Sequence, residues 1–211
     1  VPALGILGGT FDPVHCGHLR LAIELRERLE LARVHLIPAA VPPHRGAPHA
    51  DARTRLRMLE AAVRGVPELQ VDDRELRREG PSYTVDTLHS LRAQYPEHRL
   101  CLLLGMDAFA GLAGWHRWRE LLELAHIGVA QRPGAGLPLE GEPARLLETR
   151  RASSIWALQE APAGSIFVSE VPALDISASR IRRLLASGRS PRYLVPDATL
   201  DIILEDGIYI D

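Results

Sequence analysis

Two histidines separated by a cysteine and a glycine, in the string His15-Cys16-Gly17-His18, are the residues here whose types and spacing most directly suggest chemistry. They stand at i and i+3 at the head of a helical pattern, so both imidazoles project from one side of its first turn. Upstream, an apolar run through Leu4, Ile6 and Leu7 enters the pair Gly8-Gly9, followed by Thr10, Phe11, Asp12 and Pro13. A strand that passes through glycines into a helix start lets backbone N–H groups approach an anion. The first helical turn adds unpaired donors and the positive end of a dipole. The string is neither a G-x-x-x-x-G-K-[ST] loop nor a G-x-G-x-x-G turn. A zinc site is disfavoured, because HEXXH sites space their histidines at i and i+4 and need a third ligand, which no spacing here supplies. Two surface histidines would leave the glycine pair without a purpose. A phosphate site accounts for both.

A second block, Asp175-Ile176-Ser177-Ala178-Ser179-Arg180-Ile181-Arg182, places two hydroxyls at a helix start and Arg182 one turn further on. Such hydroxyls can cap the helix or bond phosphate oxygens, and a guanidinium can fork onto a triphosphate. Gly105-Met106-Asp107 follows a continuous apolar run. A small residue there admits a nucleoside, and the Asp107 carboxylate can bond a ribose hydroxyl or cap the next helix.

These residues need elements to position them, and the hydrophobic periodicity supplies a series. Strands are expected at Ala3–Leu7, Val34–Ile37, Leu69–Val71, Leu100–Leu104, Ile127–Ala130 and Ser165–Val168. Helices are expected at Leu19–Leu31, from a cap at Asp51 to about Arg64, and from a cap at Thr84 through Leu91. Further helices are expected at Trp118–Leu124, Ser179–Ala186 and Thr199–Glu205, with one or two in residues 143–160. Pro42-Pro43-His44-Arg45-Gly46 and residues 132–142 read as loops. Alternating strands and helices imply an α/β fold, a Rossmann-like doubly wound parallel sheet with helices on both faces. Ligands in such sheets bind outside the carboxyl ends of the strands, where the motif-bearing loops fall.

The chain has 211 residues, 46% of them hydrophobic, and a formal net charge of -2. That suits a single domain over residues 1–211 with a C-terminal helical part from about 177. Apolar runs fall short of the roughly 18 residues that span a bilayer. With no signal-like start and two cysteines, the reading is a soluble cytoplasmic protein without a membrane partner. Near-neutral charge without basic–aromatic interleaving disfavours a nucleic-acid partner. All 25 basic residues are arginine, so any task commonly given to lysine falls to arginine or histidine.

The block GGTFDPVHCGH resembles the H-x-G-H signature of the nucleotidylyltransferase superfamily, and most closely that of bacterial nicotinate mononucleotide adenylyltransferases. Asp175–Arg182 resembles the same family's I-S-S-T-x-I-R motif, with Ala178 and Ser179 replacing its second serine and its threonine. Pro81-Ser82-Tyr83-Thr84-Val85-Asp86-Thr87-Leu88 matches its S-Y-T-x-D-T-L string, and Pro42-Pro43-His44-Arg45 its P-P-H-K, with arginine for lysine. The resemblance implies adenylyl transfer from ATP to nicotinate mononucleotide, giving nicotinate adenine dinucleotide and pyrophosphate. Mg²⁺ would enter through the ATP phosphates, and no protein side chain is assigned to the metal. By that likeness His15, His18 and Arg182 are catalytic. Gly8, Gly9, Thr10, Phe11, Gly105, Asp107, Ile176, Ser177 and Ser179 join them in binding ATP. Thr10, His44, Arg45, Tyr83, Thr84, Trp115 and Arg132 bind nicotinate mononucleotide. An aromatic ring beside a helix N-terminus suits a pyridine carboxylate, with Trp115 stacking on the ring and Tyr83 and Thr84 framing the acid. Trp118 is read as core. Relatives acting on nicotinamide mononucleotide, phosphopantetheine or glycerol phosphate, and a non-catalytic nucleotide sensor, are the alternatives. A homo-oligomer is compatible with the sequence.

Overall fold

The computed structural model describes residues 3–43, 46–134, 136–172 and 174–210. In chain order the elements are β1 (Ala3–Gly9), α1 (Cys16–Arg28), β2 (Arg33–Pro38), α2 (Ala52–Ala62), β3 (Leu69–Val71) and α3 (Thr84–Gln94). There follow β4 (Arg99–Gly105), α4 (Met106–Ala110), 3₁₀ turns at Leu112–Gly114 and Trp118–Glu120, α5 (Leu121–Leu124) and β5 (His126–Gln131). The chain closes through α6 (Gly141–Arg150), α7 (Ala157–Glu160), β6 (Ile166–Glu170), α8 (Ala178–Ala186) and α9 (Asp197–Glu205). Each expected strand is present. Residues 143–160 contribute to two helices rather than one, and α1 begins three residues earlier than its apolar periodicity suggests.

The strands form one six-stranded sheet in the order β3-β2-β1-β4-β5-β6. The pairs β1/β4, β4/β5 and β5/β6 are parallel, with Leu4 opposite Leu100, Leu102 opposite Ile127 and Val129 opposite Val168. This is the Rossmann-like order, in which the chain builds outward from β1 and then restarts beside it. The doubly wound expectation is borne out. β4 is buried along Leu100–Leu104, as a parallel strand covered on both faces must be.

By compactness the chain divides into two units. The first comprises Val1–Leu7, Leu21–His35 and Tyr83–Ala173. Its core is aliphatic, with Leu25, Leu88, Leu91, Leu100, Leu103, Ile127 and Val129 fully buried. Burying one such side chain contributes about 1.5–3 kcal/mol. Two polar side chains of this unit are tied to backbone carbonyls. His126 donates through Nε2 to the Ala161 carbonyl at 3.0 Å and accepts the Ser165 N–H on Nδ1 at 3.2 Å. The Arg92 guanidinium reaches the carbonyls of His98 and Leu124, each at 2.6 Å. Cys101 is a buried small hydrophobe whose thiol burial pushes up to about 12, so it is inert.

The second unit comprises Gly8–Arg20, Leu36–Ser82 and Leu174–Asp211. It is centred on α2 packed against α9, where Thr199 Oγ1 donates to the Met58 carbonyl at 3.3 Å. Asp51 caps α2 as expected, its carboxylate accepting the Thr54 N–H at 2.9 Å. The buried stripe of α2 is Arg55, Met58 and Leu59, an i, i+3, i+4 pattern that carries a charged residue in its first position.

Candidate active site

The second unit holds the loop that joins β1 to α1. β1 runs out through Gly8 and Gly9, and a β-carbon on Gly9 would stand 3.0–3.3 Å from the Phe11 ring. Phe11 adopts φ +48°, a left-handed conformation uncommon for a bulky residue, and its side chain is 1% exposed. That turn drives the Phe11 ring inward, where its edge meets His18 at 5.0 Å between centroids. Cis Asp12–Pro13 follows. The His15 carbonyl accepts the N–H groups of His18 and Leu19, at 3.0 and 3.3 Å, so His15 stands at the N-cap of α1.

The two imidazoles meet. His15 and His18 stack with centroids 3.6 Å apart and planes 21° from parallel. His18 Nδ1 accepts the His15 backbone N–H at 3.3 Å, so the neutral ring carries its proton on Nε2. His15 is 6% exposed, and among the described residues its Nδ1 is buried without a hydrogen-bond partner. Loss of water around it pushes the His15 pKa down to about 4, so the ring is neutral near pH 7. Gly17 explains the glycine between them: a β-carbon there would lie 3.0 Å from His15 Nδ1 and 3.1 Å from Cε1. The helix start offers fewer free donors than its pattern implies, because the Cys16 N–H is taken by the Leu194 carbonyl at 2.9 Å.

Arg182 joins the same loop. Its Nη1 donates to the Asp12 carbonyl at 2.5 Å and lies 3.8 Å from the Asp12 carboxylate, while Nη2 donates to Ser179 Oγ at 3.3 Å. Ser177 is the N-cap of α8, accepting the Arg180 N–H at 3.3 Å, and Ile176 is half-buried against Gly17. The structure thus brings His15, His18, Phe11, Ser179 and Arg182 around the loop 9–15. Two residues to which the sequence reading assigned no role hold that loop. Arg55, 1% exposed, donates to the carbonyls of Thr10 at 2.7 Å and Ala50 at 3.2 Å. Asp12, 5% exposed, accepts the backbone N–H groups of His49 and Ala50 and the hydroxyl of Tyr209. Those hydrogen bonds and nearby Arg182 outweigh its burial and leave the carboxyl below its usual range. An arginine inside an apolar helical stripe is the signal that could have found Arg55.

The first unit holds Gly105, Asp107, Tyr83, Thr84, Trp115 and Arg132. Tyr83 stacks on His116, centroids 4.2 Å apart and 27° from parallel, which adds a ring to which the sequence reading gave no role. Thr84 does not cap α3. Tyr83 occupies the N-cap without a side-chain bond, its carbonyl accepting the Thr87 N–H at 3.2 Å. Asp107 lies exposed in the first turn of α4, and Gly105 rather than Asp107 is the N-cap. Trp115 is half-buried and Arg132 exposed. Trp118 is half-buried too, with the Arg119 guanidinium 4.4 Å over its ring, instead of lying in the core. His44 and Arg45 lie outside the described residues.

A Rossmann-like sheet whose first strand leads through a glycine loop to stacked imidazoles, with Arg182 hydrogen-bonded to that loop, defines the class as an α/β protein of the nucleotide-binding type. Residues 6–184 match the Cytidylyltransferase-like family. A Pseudomonas syringae pv. tomato protein named "Probable nicotinate-nucleotide adenylyltransferase" is 54% identical over 208 residues, 98% of this chain and 93% of its own. A Marinobacter nauticus protein of the same name is 48% identical over 205 residues, 97% of this chain and 95% of its own. The chain belongs to the Cytidylyltransferase-like family, among relatives named nicotinate-nucleotide adenylyltransferases, as the motifs indicate. A solved structure titled "Plasmodium falciparum nicotinic acid mononucleotide adenylyltransferase complexed with NaAD" shares the fold. Its TM-score is 0.75 at 15% identity, covering 99% of this chain and 98% of that one. Among the described residues, no helix is long and apolar enough to cross a membrane.

Proposed function

We propose that this chain transfers the adenylyl group of ATP to nicotinate mononucleotide, forming nicotinate adenine dinucleotide and releasing pyrophosphate. The observation that carries the reading is the stacked His15–His18 pair on the loop to which Arg182 is hydrogen-bonded. Two imidazoles and a guanidinium are donors suited to the oxygens of a triphosphate. The names of relatives about half identical over nearly their whole lengths support the same reaction.

The 5′-phosphate of the mononucleotide attacks the α-phosphorus of ATP in line, and the bond from that phosphorus to the pyrophosphate oxygen breaks. A phosphate dianion is already a nucleophile, so the protein need supply no general base. Its tasks are positioning and charge stabilisation. His15 and His18 donate N–H groups toward the triphosphate, and Arg182 supplies the fixed positive charge as negative charge builds on the leaving group. Ser177 and Ser179 direct hydroxyl protons to the phosphates, with Ile176 beside them. Gly8, Gly9, Thr10 and Phe11 shape the phosphate loop, and Gly105 and Asp107 take the adenosine. Tyr83, Thr84, Trp115 and Arg132, together with Thr10, His44 and Arg45, hold the nicotinate nucleotide, Trp115 by stacking on the ring.

Among the described residues, no group of three or more His, Cys, Asp or Glu side chains could hold a metal ion. The proposed phosphate contacts are N–H and O–H donors, which fits Mg²⁺ arriving on the ATP phosphates themselves. When bound there, it neutralises part of the leaving group's charge. The test is pyrophosphate release from Mg-ATP with nicotinate mononucleotide and, separately, with nicotinamide mononucleotide. Strong preference for the acid supports the reading. Release with the amide alone overturns the substrate, and silence with both overturns the reaction.

A further inference from the structure

We infer that Tyr209 is a positioning residue for the phosphate loop, acting through Asp12 on Arg182. This rests on the reading of Arg182 as a triphosphate ligand. Tyr209 follows α9, yet its hydroxyl donates to Asp12 Oδ1 at 2.6 Å, a bond between residues 197 apart in sequence. The same oxygen accepts the Ala50 N–H at 3.0 Å, and Oδ2 accepts the His49 N–H at 2.8 Å. Oδ2 also has His49 Nδ1 at 3.3 Å and Arg182 Nη1 at 3.8 Å. The carboxylate is therefore a hub: backbone donors and a hydroxyl hold it, and one oxygen is left facing the guanidinium. Tyr209 has φ +63°, a conformation that non-glycine residues rarely adopt, so the segment takes an unfavoured backbone to deliver this hydroxyl.

The consequence concerns where Arg182 points. A carboxylate held by other donors attracts the guanidinium at 3.8 Å without closing on it, while the Asp12 carbonyl fixes Nη1 at 2.5 Å. Without the Tyr209 hydroxyl, Oδ1 has one donor fewer and the carboxylate rotates toward the nearest cation. Arg182 then closes on Asp12 and is drawn from the phosphates. Tyr209 thus sets how much of the Arg182 charge remains for the ligand.

The test is a double-mutant cycle on the full chain with Tyr209→Phe, Arg182→Ala and the pair. It is read by calorimetric binding of inorganic tripolyphosphate and by the kinetics of pyrophosphate release. Tyr209→Phe should weaken tripolyphosphate binding about tenfold in the presence of Arg182 and less than twofold in its absence, since coupled residues fail to add. kcat should fall by a similar factor, with KM for nicotinate mononucleotide within about twofold. Should Tyr209→Phe fold poorly, Asp12→Asn removes the charge that draws Arg182 from the phosphates, so it should tighten tripolyphosphate binding in the presence of Arg182 and change it less than twofold in its absence; weaker binding that persists without Arg182 overturns the inference. Equal losses with and without Arg182 overturn the inference in favour of a general structural role. Wild-type binding by both single variants overturns it outright, as does a wild type that binds no tripolyphosphate. A wild type that binds tripolyphosphate but transfers nothing to nicotinate mononucleotide overturns the proposed reaction instead, and the binding cycle still decides Tyr209.

Discussion

Gly17→Ala separates folding from catalysis in this site. The added methyl would sit 3.0 Å from His15 Nδ1 and 3.1 Å from Cε1, where ordinary contact begins near 3.4 Å. The His15 ring must give by about 0.4 Å, the difference between those distances. It is stacked on His18 at 3.6 Å, so it passes the displacement on rather than absorbing it. Close-packed groups transmit such shifts. A misplacement of 1 Å can cost about 10²-fold in rate, so a few tenths should lower kcat about tenfold. Folding should hardly suffer, because alanine within a helix is favoured over glycine by about 1 kcal/mol, which offsets the crowding. The assay is pyrophosphate release beside a thermal melt, with the imidazole ¹⁵N resonances recorded on ligand-free protein. Reduced kcat with both imidazoles shifted and the melting midpoint within a few degrees is the expected result. A kcat within twofold of wild type, or a loss of rate with unmoved histidine resonances, would refute the argument.

Three further outcomes are expected. His18→Ala should lower kcat on the order of 10²–10³-fold by removing one aligned donor, with the urea midpoint nearly unchanged; near-normal turnover would remove His18 from the phosphate site. Arg55→Met should cost about 3 kcal/mol in urea unfolding, because the buried carbonyls of Thr10 and Ala50 lose their donors; a loss under about 1 kcal/mol would show that water replaces the guanidinium. His15 binds its proton near pH 4 when folded against 6.5 ordinarily, so the unfolded chain holds more protons between those values. Stability is full above 6.5 and falls on acidification toward 4, by an amount on the order of 3 kcal/mol. His15→Gln should flatten that stretch of the midpoint-against-pH curve, and an unchanged slope would reject the assignment.

The parts of the site that were legible in the sequence are those whose partners lie close along the chain. The stacked imidazoles follow from i, i+3 spacing at a helix start, and the Asp51 cap needs only Thr54. The strands showed as apolar runs because a parallel strand buried on both faces carries little else. Where local signals competed, boundaries moved. Thr84 has the chemistry of a cap, yet the Tyr83 carbonyl opens α3. Trp118 has the hydrophobicity of a core residue, yet it lies half-exposed beneath Arg119.

By itself, then, the sequence determined the alternation of strands and helices, the glycine-to-helix loop and the pairing of His15 with His18, because each is decided within a turn or a strand. Tertiary structure alone decided what that loop and its histidines rest on. Arg55 could have been a solvated arginine until α2 turned it inward onto the loop carbonyls. Asp12 could have been a surface acid until His49, Ala50 and Tyr209 closed around it. The physical reason is that a bond between residues 12 and 209 depends on how α2 packs on α9 and where the following turn ends, and no local spacing encodes that distance.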